Sequence, residues 1–408
     1  MPRARRGPLA ILFLTVFIDL VGFAIVLPLL PLYAERFGAG EMALGWLLAI
    51  FSLMQFLFAP LWGQLSDRIG RRPVILISLA GSTLSYVLFA VASTGHSLAL
   101  LFASRTLGGI MGANIPVAQA YIADTTSAED RAHGMGLIGA AFGLGFILGP
   151  ALASALVPLG EIWPGIGAAV ICGVNLLLAI RSLPEALPPE NRHTGAATAG
   201  RLQTVVRSLA LPAVRGLIVM FFLFTVAIAI WETTLPAFID RRFGWLDHQV
   251  ALIYVYAGVL MAFVQGFLIR RLRRRASEAT LIAAGSAIAT LGFVALALGI
   301  EPWMHLAALA IFAVGVGISS PSILGLLSRR TAVTEQGRIL GVSQSFSSLA
   351  RVIGPLLGYG LLGFSVTRVS DPATSPWDEA VPFFAAAVLA LAVLSGALML
   401  HSQRRPPE

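Results

Sequence analysis

Long apolar stretches separated by short polar ones dominate the chain. A helix needs about 20 mostly apolar residues to cross the hydrocarbon core of a bilayer. Twelve stretches reach that length, near residues 9–33, 43–65, 73–93, 97–121, 134–157, 164–182, 214–237, 247–269, 278–299, 303–327, 338–364 and 381–401. They are too long, and too rich in Gly, Ala and Leu, for barrel strands of about ten alternating residues. The pattern predicts an all-α membrane protein of twelve transmembrane helices. Between the sixth and seventh stretches, residues 184–213 break it. Pro184-Glu185-Ala186-Leu187-Pro188-Pro189-Glu190-Asn191-Arg192 is polar and Pro-rich and reads as a cytoplasmic linker. The linker separates an N-terminal six-helix bundle, residues 1–183, from a C-terminal one, residues 214–408.

The halves echo each other. Gly63-x-Leu65-x-x-Arg68-x-x-Arg71-Arg72 recurs as Gly266-x-Leu268-x-x-Arg271-x-x-Arg274-Arg275, offset by 203 residues. Gly149-Pro150 recurs as Gly354-Pro355 and Gly136 as Gly341, offset by 205. Duplicated, pseudo-symmetric bundles place a substrate site near the midplane at their interface, and rocking of one against the other exposes it to either side in turn.

Composition supports the membrane reading. Of 408 residues, 57% are hydrophobic and 12% charged, against roughly a quarter charged in an ordinary soluble domain. The first stretch follows Arg3, Arg5 and Arg6, as a secretion signal would, but it is too long, lacks a small-x-small cleavage site and contains Asp19. It is expected to stay as the first span. The chain has no lysine, so topology rests on arginine. With the N-terminus in the cytoplasm, 22 arginines fall inside and four outside, namely Arg36, Arg241, Arg242 and Arg368. Arg105 and Arg351 fall within spans. The asymmetry predicts both termini on the cytoplasmic side. The net charge of +8 is then a topology signal, with attraction to anionic lipid as a further use, and does not point to nucleic acid.

Candidate chemistry is sparse. Asp19 is an acid within the first span, in Phe17-Ile18-Asp19-Leu20-Val21-Gly22-Phe23. Arg105 is a base within the fourth, in Arg105-Thr106-Leu107-Gly108-Gly109. A charge inside a span costs on the order of 2.5–3.5 kcal/mol or more, so it needs a partner or a cavity. At about 1.5 Å per residue their depths agree within a helical turn, and the two are expected to communicate directly or through water. Burial and a nearby guanidinium act in opposite directions on a carboxyl's proton, the opposition a proton-coupled switch needs. After the second span comes Gly63-Gln64-Leu65-Ser66-Asp67-Arg68-Ile69-Gly70-Arg71-Arg72, where glycines allow a tight turn and Asp67 can pair with Arg68, Arg71 and Arg72. The fifth span carries Gly139-x-x-x-Gly143-x-Gly145-x-x-x-Gly149-Pro150. Small residues four apart make a flat packing face, and proline bends the helix.

These three motifs resemble those of the major facilitator superfamily, and within it the twelve-helix drug:proton antiporter branch that includes the tetracycline exporters. The resemblance covers nearly the whole chain. It implies a latch in which Gly63, Asp67, Arg68, Gly70, Arg71 and Arg72 join Asp124, at the end of the fourth span, to hold the cytoplasmic side shut. It gives Arg105, with Asp19, a part in proton coupling. It associates the span-five glycines and Pro150 with antiport, hence with efflux. The chain also departs from tetracycline exporters. Ser85 stands where they carry an acid in the third span, none lies near Ala287 in the ninth, and the eighth span has no histidine beyond His248 at its very edge. These departures count against tetracycline itself. In the second loop copy Arg270 replaces the acid, so a one-sided latch is expected.

Other candidates are less constrained. Glu232, late in the seventh span, reads either as an attractor of cationic substrate or as an interfacial acid beside an aromatic belt. Arg351, Gln55, Asn114, Gln119 and Gln344 lie within spans and line the cavity or bond neighbouring helices. Phe23, Phe51 and Phe142 are candidate pocket aromatics. The sole cysteine, Cys172, reads as a small packing residue. No metal-ligating or catalytic cluster and no nucleotide-binding loop is evident, and the Gly-rich fifth span lacks the Lys-Ser/Thr ending of a phosphate cradle. The chain is therefore expected to be a monomeric inner-membrane transporter without a cofactor, not an enzyme. It would export small amphipathic or drug-like compounds, tetracycline-like antibiotics being one option, in exchange for protons. The alternative is a proton-coupled uptake symporter for a small metabolite such as a sugar or organic anion.

Overall fold

The computed structural model describes residues 6–126, 131–188, 190, 192, 212–331, 336–368 and 378–402. Among these the regular structure is helical throughout, and no strand forms. Eleven helices are long and apolar enough to cross a membrane: Ala10–Arg36, Glu41–Ile69, Arg71–Thr94, Leu98–Thr125, Ile162–Ser182, Val214–Phe243, Asp247–Leu272, Glu278–Leu298, Pro302–Arg329, Gly341–Phe364 and Val381–Leu400. The fifth expected span is the helix Arg131–Leu156, continued by the short turn Val157–Leu159. Most of the expected linker, and the arginines of the extreme termini, lie outside the described residues.

Two spans are broken, each where proline removes a backbone donor. The first runs Arg6–Val26 and resumes at Leu30–Arg36, across Pro28 and into Pro31. The fourth runs Leu98–Met111 and resumes at Ile115–Thr125, with Gly112 closing the first piece and Pro116 opening the second. In an apolar medium every freed carbonyl needs a donor. Trp62 Nε1 donates to the Ile110 carbonyl at 2.6 Å, the Ser78 hydroxyl to Met111 at 2.6 Å and Gln55 Nε2 to Gly112 at 3.0 Å. Three side chains from the second and third spans thus satisfy one break in the fourth.

The chain forms two compact units. One comprises residues 1–39, 50–197 and 245–255, the other 40–49, 198–244 and 256–408. In the first, Leu12, Val16, Leu20, Leu79, Val117 and Tyr121 contribute to a continuous apolar core. The internal echo holds at atomic level. A methyl on Gly149 would strike Ala24, and one on Gly354 would come within 2.5 Å of the Ala229 Cβ. Both members of the first pair shift by 205 residues to give the second. Likewise Gly81 packs on Met111 and Gly285 on Gly315, both shifted by 204.

Arginines at equivalent positions end the first and seventh spans, and each closes an ion pair inside one unit. In the first unit Arg36 grips Asp247 in a two-pronged contact of 2.6 and 3.0 Å and reaches Glu161 at 3.2 Å. In the second, Arg241 meets Glu41 at 2.7 Å. Arg36 and Arg241 are 205 residues apart, and Glu41 and Asp247 are 206 apart.

The glycine contacts make a prediction. Gly149→Ala and Gly354→Ala should each destabilise the protein by about 1–3 kcal/mol through overpacking. Gly143→Ala should be neutral, because open space surrounds that position. Thermal unfolding of the detergent-purified variants checks this. Equal melting temperatures for Gly149→Ala and Gly143→Ala would contradict the close approach.

Candidate functional site

The break in the fourth span builds the site around Asp19. Asn114 lies in that break, and its Nδ2 donates to the half-buried Asp19 carboxylate at 3.4 Å and to the Ser78 hydroxyl at 2.7 Å. Ser78 passes its own hydrogen to the Met111 carbonyl. From the sixth span the fully buried Cys172 thiol points at the carboxylate at 3.6 Å, and Ser82 of the third span faces it. Cys172, read from sequence as a packing residue, is therefore part of the shell around Asp19. Three other spans converge on this one carboxyl with neutral donors. Neutral donors leave room for a proton that a fixed cation would exclude.

Arg105 is only 2% exposed. Its Nη2 donates to Ser104 at 3.3 Å, and its guanidinium lies 5.8 Å from the Phe51 ring centre and 5.7 Å from that of Phe89, within cation–π range. Among the described residues no carboxylate comes within ion-pair distance of Arg105, and its Nε makes no hydrogen bond. Of the two routes expected between Arg105 and Asp19, direct or through water, the direct ion pair is not formed. The third span meets both, through Ser82 at Asp19 and Phe89 at Arg105.

The aromatic candidates connect in part. Phe23 stacks on Phe51 at 4.8 Å, and Phe51 carries Arg105 beside it. The side chains of Gly139 and Phe142 fall outside the described residues, while Phe146, one turn on, meets Phe23 edge-on at 6.1 Å. Gln55 and Asn114, offered as cavity residues, are bonded into the break. Gln119 is half-buried. In the fifth span Gly145 and Gly149 make the close face, against Leu20 and Ala24 of the first, whereas Gly143 meets nothing. The packing stripe is narrower than the motif.

In the second unit the seventh helix runs to Phe243, beyond the expected end at residue 237. Glu232 therefore lies about three turns from that end at 3.6 residues per turn. Arg351, for which sequence offered no partner, exerts its charge on Glu232. Gln344, two turns away on the same face of that span, is exposed.

The loop motif closes around one residue. Arg71, 7% exposed, donates Nε to Asp124 at 2.8 Å, and its Nη1 bonds Ser66 at 2.7 Å and Asp67. Arg68 is exposed and makes no ion pair among the described residues, and Arg72 donates to the Ile180 carbonyl at 2.6 Å. Of the five charges expected in the latch, three meet, as the triad Asp67–Arg71–Asp124. Gly70 has φ +108°, and a Cβ there would run into Glu185. Glu185 is the residue the sequence reading missed. It accepts the backbone N–H groups of Arg71 at 2.8 Å and Arg72 at 3.3 Å, and also those of Ala186 and Leu187. An acid on the first turn of a helix satisfies orphan donors and the helix dipole together. Its signal was its place, immediately after the sixth span in a stretch read as linker. In the second copy Arg274, equivalent to Arg71, makes no ion pair among the described residues, and Glu278 pairs instead with Arg329 at 3.1 Å.

Comparison with known proteins follows the same lines. The profile of the Major Facilitator Superfamily matches residues 12–355. The chain is similar to the class C tetracycline resistance protein of Escherichia coli, 34% identical over 376 residues that cover 91% of this chain and 92% of that one. Among solved structures it is similar to the human organic anion transporter MFSD10 (TETRAN), with a TM-score of 0.72 and 26% identity, covering 97% of this chain and all of the other. A bacterial homolog of the human lysosomal transporter Spinster, captured inward-facing, shares the fold at a TM-score of 0.78 and 15% identity over the full length of both.

Proposed function

The chain belongs to the major facilitator superfamily as a multi-pass membrane transporter, and on that premise we propose that it exports small amphipathic or drug-like compounds in exchange for protons. The observation that carries the reading is the Asp19 carboxyl, set in the first span among neutral donors from three other spans. A carboxyl so placed can be charged or neutral without breaking a fixed ion pair. Outward direction rests on likeness to resistance proteins and on the span-five glycine stripe with Pro150. In the cycle, a proton taken up by Asp19 from outside neutralises it, loosens its bond from Asn114 and so loads the break in the fourth span. Release to the inside restores the charge. The Asp67–Arg71–Asp124 triad latches the cytoplasmic side while substrate leaves outward.

The rest of the arrangement follows from the same reading. Its two six-helix halves are residues 1–183 and 214–408, joined by residues 184–213. The protein resides in the inner membrane as a monomer with both termini in the cytoplasm. The proton gradient supplies the energy, no cofactor takes part and no covalent chemistry is performed.

One observation favours a second reading of the substrate. Arg105 is a buried cation with no carboxylate in reach among the described residues, and a similar solved protein is described as an organic anion transporter. An organic anion, moved in either direction, would supply the missing charge.

A transport panel separates these. Cells lacking other pumps are loaded with tetracycline, with lipophilic cations and with aromatic carboxylates. The proposal expects loss of at least one amphipathic compound to the outside, stopped by a protonophore. Gradient-driven accumulation of an anion, with no efflux of any compound, would establish uptake instead.

A further inference from the structure

The Asp67–Arg71–Asp124 triad hangs on the backbone of one residue. Arg71 is the first residue of the third-span helix, Arg71–Thr94. The first N–H groups of a helix have no carbonyl partner within it, and a side chain just before the helix ordinarily supplies an acceptor. Gly70 occupies that place and has no side chain to give. The acceptor comes instead from a residue 114 positions further on. Glu185 Oε1 takes the Arg71 N–H at 2.8 Å, and Oε2 takes the Arg72 N–H at 3.3 Å. The same Oε1 takes the N–H groups of Ala186 at 2.9 Å and Leu187 at 3.0 Å. One carboxylate therefore fastens the root of the linker to the residue that bridges Asp67 and Asp124. Two more contacts hold that root in place. Arg72 Nη2 donates to the Ile180 carbonyl at 2.6 Å. The buried Tyr121, one turn before Asp124, donates its hydroxyl to the Pro184 carbonyl at 2.9 Å. Gly70 lets the carboxylate in, since a Cβ there would collide with it.

The second copy of the motif serves as an internal control. Its ninth span begins at Glu278 and is capped locally, by the Ser277 hydroxyl on the Thr280 N–H at 3.2 Å. Arg273 stands at the position of Gly70. Arg274, at that of Arg71, lies ahead of the helix and makes no ion pair among the described residues. The borrowed cap and the bridging arginine occur together in the first copy, and among the described residues both are missing from the second.

Resting on the latch reading above, we propose that Glu185 is a positioning residue of the latch, fixing the backbone of Arg71 so that its guanidinium spans Asp67 and Asp124. Arg71 reaches both acids through a long side chain, so its grip depends on where its Cα is held. Without the cap the first turn frays, the Cα shifts, and the side chain satisfies one acid or the other but not both. The root of the linker is thereby part of the latch and not only a tether. Glu185 acts through Arg71 and not on the substrate.

Glu185→Ala tests this in proteoliposomes, with a substrate found in the transport panel. Its maximal rate should fall about fivefold, the equilibrium worth of a typical helix cap, with the half-saturating concentration within about twofold of wild type. Introduced beside Arg71→Ala it should cost nothing further, because it acts through that residue. Glu185→Gln keeps an oxygen for the Arg71 N–H and should recover the greater part of the rate. Should Glu185→Ala not reach the membrane, Glu185→Asp, whose carboxylate stops one carbon short, should show the same loss with the charge retained. A wild-type rate in the variant would overturn the proposal, as would a loss of affinity in place of rate, or a full further loss on the Arg71→Ala background. Arg71→Ala alone is measured in parallel. If it keeps its rate, the latch reading itself falls. If it slows transport while Glu185→Ala does not, the latch stands and only the part of Glu185 in it is refuted.

Discussion

Asp19→Asn should reduce gradient-driven export to the level of empty vesicles while leaving insertion and folding intact. Asparagine matches the volume of aspartate, and its one oxygen can accept from Asn114 Nδ2 as Asp19 Oδ2 does now, which leaves its NH2 facing the Cys172 sulfur, a weak acceptor, where Oδ1 now stands. What it cannot do is change charge. A structural carboxyl in this place would tolerate the exchange, because an uncharged isostere in an apolar span relieves a burial cost on the order of 2.5–3.5 kcal/mol. A coupling carboxyl would not. The variant should therefore be at least as stable as wild type, bind substrate, exchange it down its own gradient and fail to concentrate it. That separation of stability from function is what distinguishes the two roles, and efflux assays at matched expression measure it.

Arg71→Ala should have the next largest effect, on rate more than on affinity. Arg71 bridges Asp67 and Asp124 and holds Ser66 besides. Removing it strands two carboxylates at once. Breaking a fully buried pair costs about 3–5 kcal/mol. The triad should fall below that, because Asp67 is 47% and Asp124 26% exposed at the side chain. Maximal transport should drop by on the order of tenfold, equivalent to about 1.4 kcal/mol of lost latch stability, with the substrate's half-saturating concentration within about twofold. Asp67→Asn and Asp124→Asn should each do less, since each leaves Arg71 one acid. Combined with Arg71→Ala they should add little, as expected of groups sharing one network. An affinity loss with the rate unchanged would place the triad at the substrate site instead of at a latch.

The fold was legible because the bilayer imposes a strong and simple rule. Length and apolarity alone located the spans, and the offset between Gly149-Pro150 and Gly354-Pro355 announced the repeat that the contacts on Ala24 and Ala229 bear out. Contacts across spans were less legible. Depth can be counted along a helix, so Asp19 and Arg105 were matched in height. Rotation about the helix axis cannot be read the same way, so the third-span partners Ser82 at Asp19 and Phe89 at Arg105 were not foreseen. Asn114 was noticed only as a polar residue within a span. Its importance comes from the break around Gly112 and Pro116, which turns its amide to Asp19. Glu185 was passed over because a proline-rich segment resembles a linker whether or not one of its acids caps a neighbouring helix. Arg36 and Arg241 entered the charge count only as exceptions to the cytoplasmic excess. The structure gives both a purpose, as ion-pair partners of Asp247 and Glu41.

Infrared difference spectroscopy of the reconstituted protein, recorded as substrate is added at fixed pH, tests most directly whether Asp19 trades its proton for cargo. The account expects the carbonyl band of a protonated carboxylic acid to weaken on substrate addition, a carboxylate band to grow with it, and both changes to vanish in Asp19→Asn. A spectrum without any carboxyl change, or one identical in wild type and variant, would mean that Asp19 keeps one charge throughout and that export draws its energy elsewhere.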